Sequence, residues 1–225
     1  MRRRRFLASS ASLVVFSGCV GAPGNSTGST ETRTESETTD ERATESTDER
    51  VTEQFSESVT VSGEIRPAGN PSPPAEEFAC ATDEFTRHPM MYHPDHLEWG
   101  DTENVSLRID STAFEYGDTV HITLTNTTDS RLSIGLKQTF QIELFTENGW
   151  QDVRGKTGEG EVQYVDLGAE PPPGEVYEWS LRLTETGLVA GDKEFTVCPE
   201  LVSGRYRFVY WSTGAPVAVA FDFNR

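Results

Sequence analysis

Apolar and polar residues alternate over short stretches through the second half of the chain, the period of two that a strand with one buried face requires. Val105, Leu107 and Ile109 share one face of a first strand. A turn over Phe114–Asp118 leads into a second, in which Val120, Ile122 and Leu124 alternate with Thr119, His121, Thr123 and Thr125. Leu132–Phe140 and Gln141–Phe145 supply third and fourth regions, and Asn148-Gly149 turns the chain toward Trp150. Val162–Leu167 reads as another strand, stopped by the prolines from Pro171 to Pro173. Beyond it, Tyr177, Trp179, Leu181 and Leu183 form one apolar face. Tyr206, Phe208 and Tyr210 alternate with Arg205, Arg207 and Val209, and Val217, Val219, Phe221 and Phe223 close the series. About eight short strands separated by turn signals, with no helical period, predict an all-β fold, an antiparallel β-sandwich over residues 104–225.

The first half carries no such alternation. Residues 61–103 are rich in Pro and Gly, with one short strand expected near Ser58–Ile65, and read as an irregular lead-in packed on the sandwich. Residues 19–60 are dominated by Ser, Thr, Glu and Asp. They hold too few apolar side chains to offset the entropy of ordering, which predicts a disordered acidic linker, a tether giving reach. Residues 1–18 have the order of a signal peptide: Arg2–Arg5, an apolar run from Phe6 to Phe16, then Ser17-Gly18-Cys19. Arg3-Arg4-Arg5-Phe6-Leu7 resembles the twin-arginine export pattern. Ser17-Gly18-Cys19 resembles the end of a lipobox, with Phe16 in place of the usual Leu. That resemblance implies a lipid on Cys19, attachment to the outer face of the cytoplasmic membrane, and an extracytoplasmic protein.

Composition narrows the partners. The chain has a formal net charge of -18 and its lysines number only three, so there is no basic patch and nucleic acid is not expected to bind. An acidic surface of this kind resembles the proteins of salt-accumulating halophilic archaea, in which salt screens self-repulsion.

Three pieces recur in a known order. Tyr116-Gly117-Asp118-Thr119-Val120 with Leu124-Thr125-Asn126, then Pro173-Gly174-Glu175-Val176-Tyr177-Glu178-Trp179, then Gly204-Arg205-Tyr206-Arg207 resemble the immunoglobulin-like domains of prokaryotic surface lipoproteins. Tyr116 stands where the first motif has proline. The resemblance implies an immunoglobulin-like sandwich in an extracellular setting, and no active site is transferred with it.

Candidate chemistry lies outside the strands. With Cys19 set aside for lipid, Cys80 and Cys198 remain in an oxidising compartment, and a disulfide between them is expected; two buried free thiols are the alternative. His88, Met90, Met91, His93 and His96 fall within nine residues and offer thioether and imidazole ligands suited to copper. Pro89 and Pro94 break that segment into turns, so the expectation is an ordinary loop with its histidines in water, and a copper-binding protein is the alternative. Asn25, Asn104 and Asn126 begin glycosylation sequons. No nucleophile elbow, phosphate loop or zinc-protease motif is present. The expected function is therefore a non-enzymatic, monomeric module that binds a cell-surface protein or glycan, or has a structural role there. Trp211, Phe145 and Trp150 are the candidate contacts if they face solvent. An inhibitor of extracellular proteases is a further alternative.

Overall fold

In a computed structural model the described residues are 59–75, 78–82, 84–158, 167–174, 176–192 and 194–225. Cys19, Asn25, the signal peptide, most of the linker and all but Leu167 of the strand expected over Val162–Leu167 lie outside them. The strands are β1 (Phe85–Arg87), β2 (Glu98–Trp99), β3 (Val105–Ile109), β4 (Ala113–Glu115), β5 (Thr119–Asn126), β6 (Ile134–Gly135), β7 (Phe140–Thr146), β8 (Gly149–Asp152), β9 (Arg154–Thr157), β10 (Gly168–Ala169), β11 (Val176–Arg182), β12 (Thr196–Val197), β13 (Gly204–Tyr210) and β14 (Val217–Asn224). Among the described residues there is no α-helix, and one 3-10 turn spans Pro94–His96.

Two sheets form the sandwich. One runs β11-β5-β3, the other β2-β14-β13-β7-β8, with β4 also on β14. Pairing is antiparallel except where β2 and β4 join β14. Val120, Ile122 and Leu124 of β5 and Trp179 of β11 are buried, as the alternation predicts, against Tyr206, Phe208 and Tyr210 of β13 and Val219, Phe221 and Phe223 of β14. Trp179 sits 4.9 Å from Phe208 and 5.7 Å from Tyr210, ring centre to ring centre. Such aromatic pairs add to the burial of apolar area.

The lead-in closes one side of the sandwich. Glu64 exchanges backbone hydrogen bonds with Ile109 at 2.7 and 3.0 Å, and the next residue, Ile65, accepts one from Ala220 at 2.8 Å. Consecutive residues thus bond to different sheets, and strand edges that would otherwise template aggregation are covered. Gly100 makes the same bridge, accepting from Leu107 and donating to Ala218. Its φ of +72° and a Cβ position only 2.5 Å from Ile65 leave room for glycine alone. The strand expected near Ser58–Ile65 is reduced to the single bridge at Glu64. Of the region Leu132–Phe140, only the two residues of β6, which pair with β10, and Phe140, which opens β7, are in strands, and Gly135 also donates its N–H to the Ser212 carbonyl at 2.8 Å.

A smaller sheet, β1-β9-β12, ties the lead-in to the loop before β13. Cys80 and Cys198 form the expected disulfide beside it, with Cα atoms 5.5 Å apart and a sequence separation of 118. Converting both cysteines to serine is expected to lower the unfolding free energy by roughly 2–5 kcal/mol, since the loop it closes is long. Denaturant titration checks this, and a loss below about 1 kcal/mol would mean that the bridge does not constrain the unfolded chain.

Candidate functional site

Strand register places polar side chains in one row on the outer face of the larger sheet. Glu143 of β7 lies opposite Arg207 of β13 and Asp152 of β8, and Gln141 lies opposite Val209. Alternation alone would put these positions in water. Instead Gln141, Glu143 and Arg207 are 0%, 1% and 3% exposed. Their cover is the lead-in segment from Arg87 to Tyr92, which crosses the sheet as a strap.

Each contact of the strap answers a polar group beneath it. His88 donates its backbone N–H to the Arg154 carbonyl at 2.9 Å, continuing the β1–β9 ladder. Gln141 accepts the Met91 N–H on Oε1 at 2.9 Å and donates from Nε2 to the Pro89 carbonyl at 3.0 Å. The His88 Nδ1 lies 2.7 Å from that same carbonyl and 3.1 Å from the Gln141 Nε2. Tyr92 completes a triangle. Arg207 donates to Glu143 at 2.6 Å and to the Tyr92 hydroxyl at 2.6 Å, and that hydroxyl donates to the Glu143 carboxylate at 2.9 Å. Trp150 stacks on the Arg207 guanidinium at 4.2 Å. Beside this triangle Arg154 makes a two-pronged contact with Asp152, at 3.1 and 3.0 Å, and donates to the Phe140 carbonyl.

Electrostatics follow from this burial. Loss of water pushes the Glu143 carboxyl above its ordinary range, and Arg207 pulls it back only in part. Burial also lowers His88, against the opposing attraction of Asp152, which favours the neutral ring. Burial and the neighbouring Glu143 raise the Tyr92 phenol, keeping it a neutral donor. The layer balances two carboxylates against two guanidiniums, an arrangement whose geometry must be complete to be tolerated.

The strap's Met91 also forms one wall of a cleft of about 690 Å³, with Ile134, Leu167 and Trp211 as its other apolar surfaces. This volume is within the usual range for small-molecule sites, about 300–1,000 Å³. Its walls are held by backbone bonds. Trp211 donates to the Thr139 carbonyl at 3.3 Å, Gly135 donates to Ser212 at 2.8 Å, and the Tyr210 hydroxyl donates to the Gly135 carbonyl at 2.6 Å.

The residues singled out from sequence scatter across this arrangement. His88 belongs to the strap and is buried against the sheet, whereas His93 and His96 are exposed, their rings 5.0 Å apart, with His93 beside Asp95 at 3.7 Å. Met90 and Met91 are 40% and 39% exposed. His88 therefore does not share a site with the other two imidazoles, and among the described residues no three His, Cys, Asp or Glu side chains converge as metal ligands. The expectation that the histidines all face water fails at His88 for the same reason. Asn104 is exposed, but Asn126 is 2% exposed and its amide nitrogen donates to Ser130 and Pro171 carbonyls at 2.9 and 3.1 Å. A glycan on Asn126 is incompatible with this fold. Phe145, Trp150 and Trp211 are half-buried and not free contacts; Trp150 is occupied by Arg207 and Phe145. His121 faces solvent beside Ser180, as expected. Gln141, Glu143 and Arg207 were missed because nothing local in the sequence distinguishes a polar position under a strap from one in water.

The sequence matches no known family profile and no curated protein. Among solved structures, the sulfur carrier protein SoxY from Chlorobium limicola f thiosulfatophilum is similar with a TM-score of 0.24 and 7% identity, over 57% of this chain and 82% of that one. A β-glucosidase from Listeria innocua gives a TM-score of 0.28 and 16% identity, over 54% of this chain and 16% of that one. Likeness at this level carries no argument about function.

Replacing Arg207 with Met leaves the Glu143 carboxylate buried without its cation and is expected to cost roughly 3–5 kcal/mol of stability. Adding Glu143→Leu is expected to recover most of that loss, since no unpaired charge remains. Denaturant melts of both variants check this; a single variant as stable as the parent would contradict the buried-pair geometry.

Proposed function

We propose that the chain is a membrane-anchored cell-surface lipoprotein, exported by the twin-arginine route, that displays an immunoglobulin-like module for binding and not for catalysis. The observation that carries this reading is the disulfide-pinned strap, which shapes a cleft with fixed walls on a compact sandwich. A preformed concavity of that kind suits recognition, because little ordering entropy is spent when a ligand enters. A disulfide belongs in an oxidising compartment, in keeping with export. The N-terminal order of arginines, apolar run and Cys19, followed by acidic low-complexity sequence, supports an anchor and a spacer. Its acidic composition, with a net charge of -18, suits a salt-rich exterior.

The test is the anchor. In cells, Cys19→Ser is expected to move the protein from the membrane fraction to the soluble extracytoplasmic fraction while the disulfide still forms. Full retention in the membrane fraction would overturn the lipoprotein reading.

A further inference from the structure

We propose that β11 is a self-pairing edge: two copies of the chain join antiparallel along residues 178–182, about a two-fold axis at Ser180, so that their β11-β5-β3 sheets run on as one. The composition and motifs suggested a monomer, and this inference stands apart from the membrane anchor.

The first argument is the unequal treatment of the two edges of that sheet. The β3 edge is closed by the bridges of Glu64 to Ile109 and Asp101 to Ser106. At the opposite edge, no strand among the described residues pairs with the outer side of β11. His121 turns its carbonyl to the Asp110 N–H on the β3 side, so Ile122 faces β11 and its partner Trp179 faces back. By the alternation of an antiparallel ladder, the N–H and C=O groups of Glu178, Ser180 and Arg182 point outward. Of these, among the described residues, only the Arg182 carbonyl is engaged, by the Thr184 N–H at 2.8 Å. β11 is 7 residues long and holds neither proline nor lysine, two usual means of spoiling an edge.

The second argument is charge. Glu178 and Arg182 are exposed, and neither is in an ion pair with a described residue. They stand symmetrically on either side of Ser180, on one face of the strand. In the antiparallel register centred on Ser180, Glu178 of each copy lies opposite Arg182 of the other. Outward-facing backbone groups then meet outward-facing ones, giving about six hydrogen bonds. A register centred on Glu178 or Arg182 sets like charges against each other, and one centred on Trp179 or Leu181 leaves both charges unmet. A charge on an edge strand ordinarily discourages pairing. Two opposite ones, placed symmetrically, disfavour foreign strands and other registers while admitting a second copy.

The third argument is apolar cover. A groove of about 360 Å³ runs beside this edge, with Leu181, Leu188 and Val189 in its lining. Leu181 lies on the inner face of β11 yet is only half-buried. In the proposed register, Leu181 of the second copy comes opposite Trp179 on that inner side, so pairing removes more apolar surface from water. The net charge of -18 on each copy opposes association at long range; molar salt screens this, and acts less on charges in close contact.

The full chain carrying Cys19→Ser, which keeps Cys80 and Cys198 as its only cysteines, is followed by sedimentation equilibrium in molar salt. A dimer is expected, with a Kd of about 1–100 μM for so short an edge. Glu178→Arg and Arg182→Glu are each expected to weaken it about tenfold or more, equivalent to about 1.4 kcal/mol, with unchanged melting curves. An equimolar mixture of the two variants is expected to regain the parent affinity, because each then meets its opposite charge. Ser180→Cys is expected to cross-link the dimer on mild oxidation, its two Cα atoms falling about 5.5 Å apart, within disulfide reach. Thr123→Cys, one strand further in on the same face, is not. The proposal is overturned if the chain stays monomeric up to about 1 mM, as it would with the edge held by another segment or kept for a different partner. It is equally overturned if either charge variant dimerises as tightly as the parent, if the mixture stays weak, or if Ser180→Cys cross-links no more readily than Thr123→Cys.

Discussion

The ion pair between Glu143 and Arg207 is the contact on which the strap and the cleft depend. Two opposite charges face each other across neighbouring strands on the outside of a sheet, where water would ordinarily solvate both and their attraction would be worth little. Covered by the strap, they are dry, and a dry pair is tolerable only if every remaining donor and acceptor is met. Tyr92 meets the last of them, bonding to both partners. The strap therefore has one position, and Gln141 fixes its register through Pro89 and Met91. A wholly apolar cover could slide; this one is indexed by hydrogen bonds.

From that index the cleft follows. Met91 is placed by its own backbone N–H, and its side chain then stands across from Trp211 and Leu167. At the other end of the strap, the Cys80–Cys198 bridge and the β1–β9 ladder hold the lead-in against the loop before β13. Sandwich, strap and cleft are thus mechanically continuous. The strands supply a frame, the polar layer orients the strap, and the strap supplies a wall.

Much of the frame was legible in the sequence. Val120, Ile122 and Leu124 point inward because a period of two leaves no other choice once one face is buried. The same holds for Tyr206, Phe208 and Tyr210, and for the disulfide, which follows from having two cysteines left. Periodicity assigns residues to faces but says nothing about what covers a face. Arg207 and Glu143 occupy the polar phase of their strands and look solvated, yet a segment more than fifty residues upstream in sequence encloses them. Asn126 shows the same limit: three residues spell a sequon, while the amide that would carry a glycan is already donating to Pro171, far along the chain. The cleft too is assembled from distant pieces, Met91, Ile134, Leu167 and Trp211, none of which has a local pattern.

The central claim is that the strap is locked on a buried polar layer, and amide hydrogen exchange at Met91 tests it most directly. This N–H is donated to a fully buried glutamine, although the side chain of its residue is well exposed. Exchange through unfolding alone is predicted, so that Met91 should be protected to the same degree as core amides of β13 such as Phe208. Exchange at Met91 at the rate of an open surface loop, with Phe208 still protected, would show that the strap lifts freely and would contradict the account.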